Sequence, residues 1–498
     1  MKTILGIDLG TSSIKAMLLD IDNGVLDVAA QSYTVSIPHA NYAEQAPEMW
    51  WDAAVTIFKK LKEQHGEAFD SIAAVGFSGQ MHGLVITDEH GIPLRPAIIW
   101  LDQRSEKQLE EMNQKLRLEE MAQIFHNRAF TGFAFPSLLW VKENEPDIFR
   151  KTYKLLHPKD YIRLKMTGNF GTDTSDASAS LAFDVGKRDW AWDILKRFEL
   201  PESIFPACHE ATEIAGYITE ECAKETGLRA GIPVIYGSGD QPAQSIGNGA
   251  VREGLIISNI GTGGQISTYS KKDVYDSGLR THTFCHSIDK AYTVYGAALC
   301  SGMSLNWLKN KVLHIKDYKL MSNMAGEIDS GSDGLIYLPY LSGERTPHMN
   351  PKARGMFFGL QLRHDNRHII RSVMEGVTFS LKDSLQIFDE IGIKGNRIIA
   401  SGGGASSDVW LQIQADIFEK EVHVSCVKEQ ACLGACIMAG AGTGIFGSIQ
   451  EACNRYITFD SKVYYPNMSK MVKYRTSYEI YQELYSRTKD LFEAEVGK

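Results

Sequence analysis

Two segments of this chain share one pattern, in which a short apolar strand runs into a Gly-Thr turn and a second alternating strand follows. The first segment is Ile4–Ile14, with its turn at Gly10, and the second is Leu255–Ile266, with its turn at Gly261. Such alternation on both sides of a tight turn predicts a β-hairpin. The two glycines lie 251 positions apart, about half of the 498 residues. The repeat therefore predicts two similar domains, each presenting a hairpin to a shared cleft.

The turn of the first hairpin has the composition of an anion site. Gly10 lets backbone N–H groups approach a ligand closely, and Thr11, Ser12 and Ser13 add hydroxyl donors, which together favour an anion-binding nest. Asp8 ends the preceding apolar strand. Burying a carboxylate there costs free energy unless the carboxylate holds a cation or a water. A phosphate nest beside a carboxylate for Mg²⁺ predicts a nucleoside triphosphate site. An ordinary hairpin with a polar tip also fits this segment taken alone.

Length and composition set the class of protein. A chain of 498 residues exceeds the size at which one core stops growing, so we expect two domains, residues 1–249 and 250–498. The formal net charge of −9 argues against nucleic-acid binding. No apolar stretch is long enough for a membrane span, and Asp8 interrupts the first apolar run where a signal peptide would continue. With eight scattered cysteines, these features predict a cytoplasmic protein.

Polar clusters follow several predicted strands at the point where each strand ends. Ser71–Phe77 leads into SGQMHG at 78–83, Ala97–Leu101 leads into Asp102, and Ile232–Tyr236 leads into GSGDQ at 237–241. In α/β folds, ligands bind at the carboxyl ends of the strands, where such polar residues lie. We call these positions strand exits. In the second half, Arg397–Ala400 leads into the glycine-rich turn SGGGASS at 401–407. Consecutive glycines there permit close approach to a flat ligand such as adenine, and also occur for packing reasons alone.

Three other motifs predict structure rather than chemistry. Residues 442–447 match GxGxxG but follow an Ala-rich helical stretch instead of a strand, so we interpret them as a helix end and turn. THTFCH at 281–286 alternates like a strand, and its spacing matches no closed zinc site. A long helix is predicted from Asp365 to about Ile387, with Asp365 as its N-cap. No structural metal is expected.

The opening GIDLGTSSIK, the hairpin SNIGTGG, the stretch LPYLSGERTPHMNPKARGMFFGL at 338–360 and the turn SGGGASSDVWLQIQAD at 401–416 together resemble the FGGY carbohydrate kinases. The resemblance runs over nearly the whole chain. It implies an α/β fold with two actin-like ATPase (ribonuclease H-like) domains, each a mixed sheet flanked by helices, with a cleft between them. SGQMHG and THTFCH resemble the members that phosphorylate D-xylulose. Glycerol kinases carry an Asn-Gln-Arg-Glu run in place of residues 79–82, which argues against glycerol.

The resemblance implies ATP and Mg²⁺ as cofactors and a small sugar as substrate, with neither nucleic acid nor membrane as partner; a homodimer is compatible with it. It implies that Asp240 is the catalytic base and that Asp8 is the carboxylate near Mg²⁺. The sugar site is expected from Gln80, Met81, His82, Trp100, Asp102, Asp240 and Gln241. The nucleotide and its phosphates are expected on Gly10, Thr11, Ser12, Ser13, Lys15, Gly261, Thr262, Gly263, Gly403, Gly404 and Ser407.

Alternatives stay open for several of these residues. Asp240 also fits a turn residue or an N-cap, and His82 fits either a hydrogen-bond donor to the sugar or a satisfied core histidine. Trp100 fits the core as well as a sugar platform, and Asp102 could simply pair with Arg104. For the whole chain, the alternatives are a kinase for ribulose, an aldonic acid or a deoxyketose, an actin-like nucleotide switch, or a non-catalytic sugar sensor.

Overall fold

The computed structural model describes residues 2–492 and contains two large mixed β-sheets. The central strand of the first sheet carries Asp8. It pairs in parallel with the strand that ends at Gly79 and antiparallel with the strand that follows the Gly10 turn. In spatial order the strands of this sheet are Ile214–Tyr217, Pro233–Ile235, Ile72–Gly79, Thr3–Leu9, Ser13–Asp20 and Gly24–Ser32, with Ser238–Gly239 also pairing with Ile72–Gly79.

The second sheet repeats the centre of the first. Its strand Gly254–Ile260 pairs in parallel with Gly395–Ser401 on one side and antiparallel with Gly264–Ser270 on the other. Asn259 faces Gln265 and Ser401 in register, as Asp8 faces Lys15 and Ser78. The full order is His282–Cys285, Tyr292–Ala298, Gly264–Ser270, Gly254–Ile260, Gly395–Ser401 and Glu421–Val424. The internal repeat is thus a structural one.

The remaining elements cover these sheets. Short two-stranded pairs are Glu44–Gln45 with Ala97–Ile98, Val85–Thr87 with Lys154–Leu156, Thr172–Asp173 with Cys208–His209, Phe183–Asp184 with Asp189–Trp190, and Ile336–Leu338 with Met356–Phe358. The α-helices are Pro47–Asp70, Glu106–Lys115, Leu118–Ile124, Ala134–Asn144, Pro146–Lys151, Pro158–Thr167, Thr174–Ser178, Trp192–Arg197, Glu220–Thr226, Asp240–Gly247, Gly302–Trp307, Tyr318–Gly326, Asn366–Glu390, Asp408–Phe418, Gln430–Gly442, Ile449–Tyr456 and Met468–Thr488. The predicted pair of mixed sheets flanked by helices is confirmed.

One helix from the second half packs on the sheet of the first half. Gln430–Gly442 lies over the strands Thr3–Leu9 and Ile72–Gly79, and its side chains share a buried cluster with Ile4 and Ala74. In the opposite direction, Phe284 and Tyr295 share a cluster that is built mainly from the first half. The division between residues 249 and 250 stays a prediction about the chain, and packing joins the two halves across it.

Local signals correctly located the start of one long helix and the end of another. The Asp365 side chain accepts a hydrogen bond from the Arg367 N–H and caps the helix Asn366–Glu390, as predicted. Residues 442–447 form the end of a helix and a turn, with Gly444 at φ +73°. His282–Cys285 is a strand, again as predicted. Residues 106–124 form two helices, Glu106–Lys115 and Leu118–Ile124, since Leu116 at φ −120° and ψ 123° interrupts the helical backbone.

Among residues 2–492, no helix combines the length and the apolar composition needed to cross a membrane.

Substitution at Gly76 tests the packing of the helix Gln430–Gly442 on the first sheet. A Cβ added at Gly76 would lie 2.1 Å from the carbonyl oxygen of Ala435, a distance at which backbone must move. We expect Gly76→Ala to lower the free energy of unfolding by about 1–3 kcal/mol. Gly66→Ala is the control, because a Cβ there meets nothing within 4 Å and helical Gly→Ala changes stabilise by about 0.5–1 kcal/mol. Equal melting temperatures for both variants in thermal unfolding would contradict the close packing.

Candidate active site

A cavity of about 550 Å³ lies where the two repeated hairpins meet. The first sheet contributes Asp8 and Lys15 to its wall, and the second sheet contributes Asn259 and Ser401. The rest of the wall comes from Gln244, Gly402, Ala405, Ser406, Val424, Ser425, Val427, Lys428, Glu429, Gln430 and Ala431. The predicted cleft shared by the two halves is therefore present.

The turn of the first hairpin is fixed by side chains around it. The Gly10 carbonyl accepts a hydrogen bond from the Tyr33 hydroxyl (2.5 Å), and the Thr11 carbonyl accepts one from the Gln45 amide (2.8 Å). The Thr11 hydroxyl accepts from the Trp100 indole N–H (2.8 Å) and donates to Gln80 Oε1 (3.2 Å). Through these hydrogen bonds, Trp100 and Gln80 hold the turn in place. A direct contact of either with sugar stays a prediction.

Each turn is closed by a hydrogen bond within its own backbone. The Gly10 N–H donates to the Ser13 carbonyl (3.0 Å), and the Gly261 N–H donates to the Gly263 carbonyl (2.9 Å). The second turn is further held because the Gly302 N–H donates to the Gly261 carbonyl (2.9 Å). The backbone carbonyl groups of both turns accept hydrogen bonds from other protein groups, which holds each turn in one conformation. A fixed conformation suits a site whose N–H and hydroxyl donors must be preorganised.

Asp8 lies half-buried at the cavity wall. Its Oδ1 accepts a hydrogen bond from the Ser78 hydroxyl (2.7 Å). Burial raises the pKa of Asp8, while the Ser78 hydrogen bond and the charge of Lys15 act in the opposite direction. Lys15, opposite Asp8 in the ladder, forms a 2.6 Å ion pair with Glu429 at the start of the helix Gln430–Gly442. A cation and two carboxylates from both halves thus face one cavity.

Asp240 is the first residue of the helix Asp240–Gly247, directly after the strand Ser238–Gly239. Burial, and next the negative charge of Asp8, raise the pKa of Asp240 to about 7, although hydrogen bonds from Gln241 lower it. An ordinary aspartate pKa of about 3.9 would leave the group fully ionised at neutral pH. The sequence gives no sign of this shift, because it arises from burial and from a carboxylate 232 positions away in the chain.

A fully buried ionic cluster supports the strand that delivers Asp240. The Gly239 N–H donates to the Ser175 hydroxyl (3.0 Å), which in turn donates to Asp173. Lys159 forms ion pairs with Asp173 (2.6 Å), Asp160 (2.8 Å) and Asp176 (3.1 Å). The four side chains are inaccessible to solvent, so the lysine offsets charges that would otherwise be costly to bury. No signal in the sequence had singled out these residues.

Met81 and His82 lie next to the Asp240 strand. Met81 is buried, and its side chain packs on Gly239, where an added Cβ would lie 2.6 Å from Met81 Cγ. His82 has a backbone φ of +72°, and its Nδ1 donates to the Ala179 carbonyl (2.8 Å). Burial lowers the pKa of His82 to about 3. The ring is therefore neutral with its proton on Nδ1, so Nε2 is an acceptor rather than the donor that the sequence suggested.

Asp102 is engaged by protein groups. Its carboxylate accepts from the Arg104 guanidinium (2.7 Å for the shortest contact) and from the Ala43 N–H (2.6 Å). Its side chain is inaccessible to solvent. The ion pair with Arg104, one of the two alternatives for this residue, is thus present in the structure, and a contact with sugar stays a prediction.

The glycine-rich turn at 401–407 contributes its first part to the cavity. Gly402 has a φ of +73° and lies against Asn259 and Ile260, so a side chain there would be strained and crowded. An added Cβ on Gly404 would lie 2.6 Å from Ile260 Cβ, which makes this glycine a packing residue. Ser407 caps the helix Asp408–Phe418 by accepting from the Trp410 N–H (3.2 Å). Ser406 and Gly402 line the cavity, whereas Gly403, Gly404 and Ser407 do not.

Several lining residues carried no functional prediction, among them Gln244, Asn259, Ser406 and Glu429. Asn259 could have been found from the repeat, since it occupies the position of Asp8 in the second hairpin. Gln244 lies on a helix that packs against Gln430–Gly442, and Glu429 directly precedes that helix, so their approach depends on tertiary packing. Ser406 belongs to the predicted glycine-rich turn. Within residues 2–492, no group of three or more His, Cys, Asp and Glu side chains has the arrangement of a metal site.

Comparisons with known proteins agree with this architecture. The sequence model of the FGGY family of carbohydrate kinases matches in both parts, the N-terminal domain over residues 3–247 and the C-terminal domain over residues 257–443. The chain is 35% identical over 492 residues to a xylulose kinase of Lactococcus lactis, covering 99% of this chain and 98% of that protein. It is 32% identical to a gluconokinase of Bacillus subtilis, covering 89% and 88%. A crystal structure of a xylulose kinase from Rhodospirillum rubrum superposes with a TM-score of 0.93 at 27% identity, over 99% and 100% of the two chains.

Replacing Asp240 by Asn tests the burial of its charge. Because the pKa of Asp240 is higher in the folded chain than in the unfolded chain, the folded state binds the proton more tightly. Ionisation of Asp240 therefore lowers the free energy of unfolding as the pH rises from about 4 towards 7. Asp240→Asn should leave stability at pH 4 nearly unchanged and raise the free energy of unfolding at pH 8 by about 1–2 kcal/mol. Thermal unfolding of both proteins at the two pH values measures this, and a destabilised variant at pH 8 would contradict it.

Proposed function

The chain belongs to the FGGY family of carbohydrate kinases, and we propose that it transfers the γ-phosphoryl group of ATP to D-xylulose, giving D-xylulose 5-phosphate. The observation that carries this proposal is the packing of Met81 on Gly239, directly before Asp240. It brings the SGQMHG segment and the candidate base to one pocket. Full-length similarity to a protein named xylulose kinase supports the choice of sugar.

We infer that ATP binds in the cavity between the hairpins, with its phosphates against the turns at Gly10–Ser13 and Gly261–Gly263. The rigid closure of both turns and the Lys15 cation at the wall support this placement. The carboxylate of Asp8 fits Mg²⁺, which prefers oxygen ligands, because one oxygen bonds Ser78 and the other has no partner within residues 2–492. When bound, the ion neutralises phosphate charge.

Asp240 is the proposed general base. Phosphoryl transfer through a loose transition state asks the protein mainly for alignment and charge stabilisation. The carboxylate orients the sugar hydroxyl and accepts its proton as the oxygen bonds to phosphorus and ADP leaves. A base whose pKa lies close to the working pH is well matched to this task. The amides of Gln241 and of the first helical turn hold the carboxylate in place.

Residues 1–249 and 250–498 are the proposed domains of this kinase. The first supplies the base, the SGQMHG segment and one phosphate turn, and the second supplies the other phosphate turn and the glycine-rich turn after Ala400. Residues of both proposed domains line the cavity, which supports a cleft that binds its ligands between the two domains.

A substrate panel tests the proposed reaction. We expect ADP release with D-xylulose to exceed that with D-ribulose, L-ribulose, glycerol and gluconate by tenfold or more in kcat/KM, about 1.4 kcal/mol of discrimination. Asp240→Asn should lose about 10²–10⁴-fold in kcat. Preference for gluconate would favour the aldonic acid alternative, and turnover of ATP without any sugar would favour a nucleotide switch.

The pH dependence of kcat/KM tests the role of Asp240. Because the base must be ionised, kcat/KM for the sugar should rise with pH and level off above an apparent pKa of about 7. In Asp8→Asn, which removes the neighbouring negative charge, the residual activity should level off at a lower pH. A rate that is independent of pH between 5.5 and 8, measured with saturating ATP, would exclude Asp240 as the base.

A further inference from the structure

Two residues from the second half of the chain, His282 and Arg345, lie beside His82 without a role in the proposed reaction. A series of contacts between aromatic side chains connects His282 and Arg345 to His82. His82 lies 4.0 Å from Phe133 between ring centroids, and Phe130 lies 6.3 Å from Phe133 and 6.0 Å from His282. The Arg345 guanidinium lies over the Phe130 ring at 5.5 Å.

His282 has a buried acceptor with no partner. The Asn127 amide nitrogen donates to the carbonyls of Phe125 (2.7 Å) and Thr283 (2.8 Å), which fixes its Oδ1 towards His282. Nδ1 of His282 is 3.0 Å from that oxygen and therefore carries the proton. Nε2 is buried and forms no hydrogen bond within residues 2–492, while the residue as a whole is 1% exposed. A buried acceptor without a partner is costly, and a ligand hydroxyl would satisfy it.

Arg345 presents an unpaired guanidinium at the same place. Its backbone is held on both sides, because the Arg345 N–H donates to Glu344 (2.8 Å) and the Thr346 N–H donates to the Ala297 carbonyl (3.0 Å). Within residues 2–492, the guanidinium has no carboxylate or carbonyl partner, only the face of Phe130. Its positive charge helps to keep the pKa of both His82 and His282 low, so both rings are neutral acceptors.

We propose that His282 and Arg345 complete the sugar site from the second half of the chain, holding the end of the ketose remote from the phosphorylated hydroxyl. His282 Nε2 accepts a hydrogen bond from a sugar hydroxyl, and the Arg345 guanidinium donates to the C2 carbonyl oxygen. The chemistry of the partners matches this assignment, because a neutral Nε2 accepts from a hydroxyl and not from a carbonyl, whereas a guanidinium donates to a carbonyl oxygen. The inference rests on the proposed function.

The assignment to the remote end uses Tyr295, which lies near both Asp240 and this pair. Asp240 must meet the hydroxyl at C5, and the charges of Asp240 and Arg345 both act on the pKa of Tyr295. Tyr295 contacts His282 at 4.9 Å between ring centroids. The C1–C2 end of a five-carbon chain anchored at Asp240 is the part that extends to His282 and Arg345.

Kinetics and calorimetry of Arg345→Gln and His282→Phe test the inference. Each variant should raise KM for D-xylulose about 10- to 100-fold, the effect of one lost hydrogen bond to a charged or buried group. KM for ATP should stay within threefold, and titration of D-xylulose without nucleotide should show the same weakening. Arg345→Lys keeps the positive charge but loses the planar, forked donors of the guanidinium, so it should recover part of the affinity for D-xylulose. Arg363→Gln is the matched control, since Arg363 is exposed and, among residues 2–492, its guanidinium bonds only the Asp333 carbonyl.

The outcomes separate this inference from the proposed function. If folded Arg345→Gln and His282→Phe both bind D-xylulose within threefold of the wild type, the inference is wrong and the kinase assignment stands. If Arg345→Gln instead raises KM for ATP, the guanidinium serves the nucleotide, which also overturns the inference. If the wild-type protein phosphorylates another sugar, the proposed substrate is wrong, and KM for that sugar decides the inference.

Discussion

The carboxylates of Asp8 and Asp240 lie close enough for the negative charge of Asp8 to help raise the pKa of Asp240 to about 7. Two like charges are held near each other only if the surrounding fold is rigid enough to keep them there. Each carboxylate ends a strand of the first sheet or begins the helix that follows it, and each has hydrogen-bond donors of its own. The proton affinity of Asp240, and with it the proposed role as general base, depends on that arrangement.

The rigidity comes from buried groups on both sides of the sheet. On one side, Lys159 and three aspartates form a cluster without solvent access, linked through Ser175 to the backbone just before Asp240. On the other side, the helix Gln430–Gly442 approaches the strands so closely that Gly6 and Gly76 leave no room for a Cβ. That helix begins beside Glu429, the partner of Lys15. The packing that stabilises the sheet therefore also connects the second half of the chain to the cleft.

Side chains from both halves of the chain also come together around His82 for a related reason. The strand His282–Cys285 is the edge of the second sheet, yet Phe284 belongs to a hydrophobic cluster built mainly from the first half. Burying that edge brings His282 and Arg345 to the side of His82. In the proposed sugar site, acceptors and a donor from different parts of the chain would face the same ligand, which gives more hydrogen-bonding specificity than a single strand exit provides.

The sequence by itself determined the two hairpins, the strand exits, the cap at Asp365 and the family, because each depends on neighbouring residues or on a repeated pattern. It also brought Asp8, Asp240, Met81 and His82 into consideration as site residues. Only the tertiary structure decided the raised pKa of Asp240, the neutral ring of His82, the ion pair of Asp102 and the placement of Glu429, His282 and Arg345. Burial, charge proximity and approach across the cleft are properties of residues distant in the chain, and no local pattern encodes them.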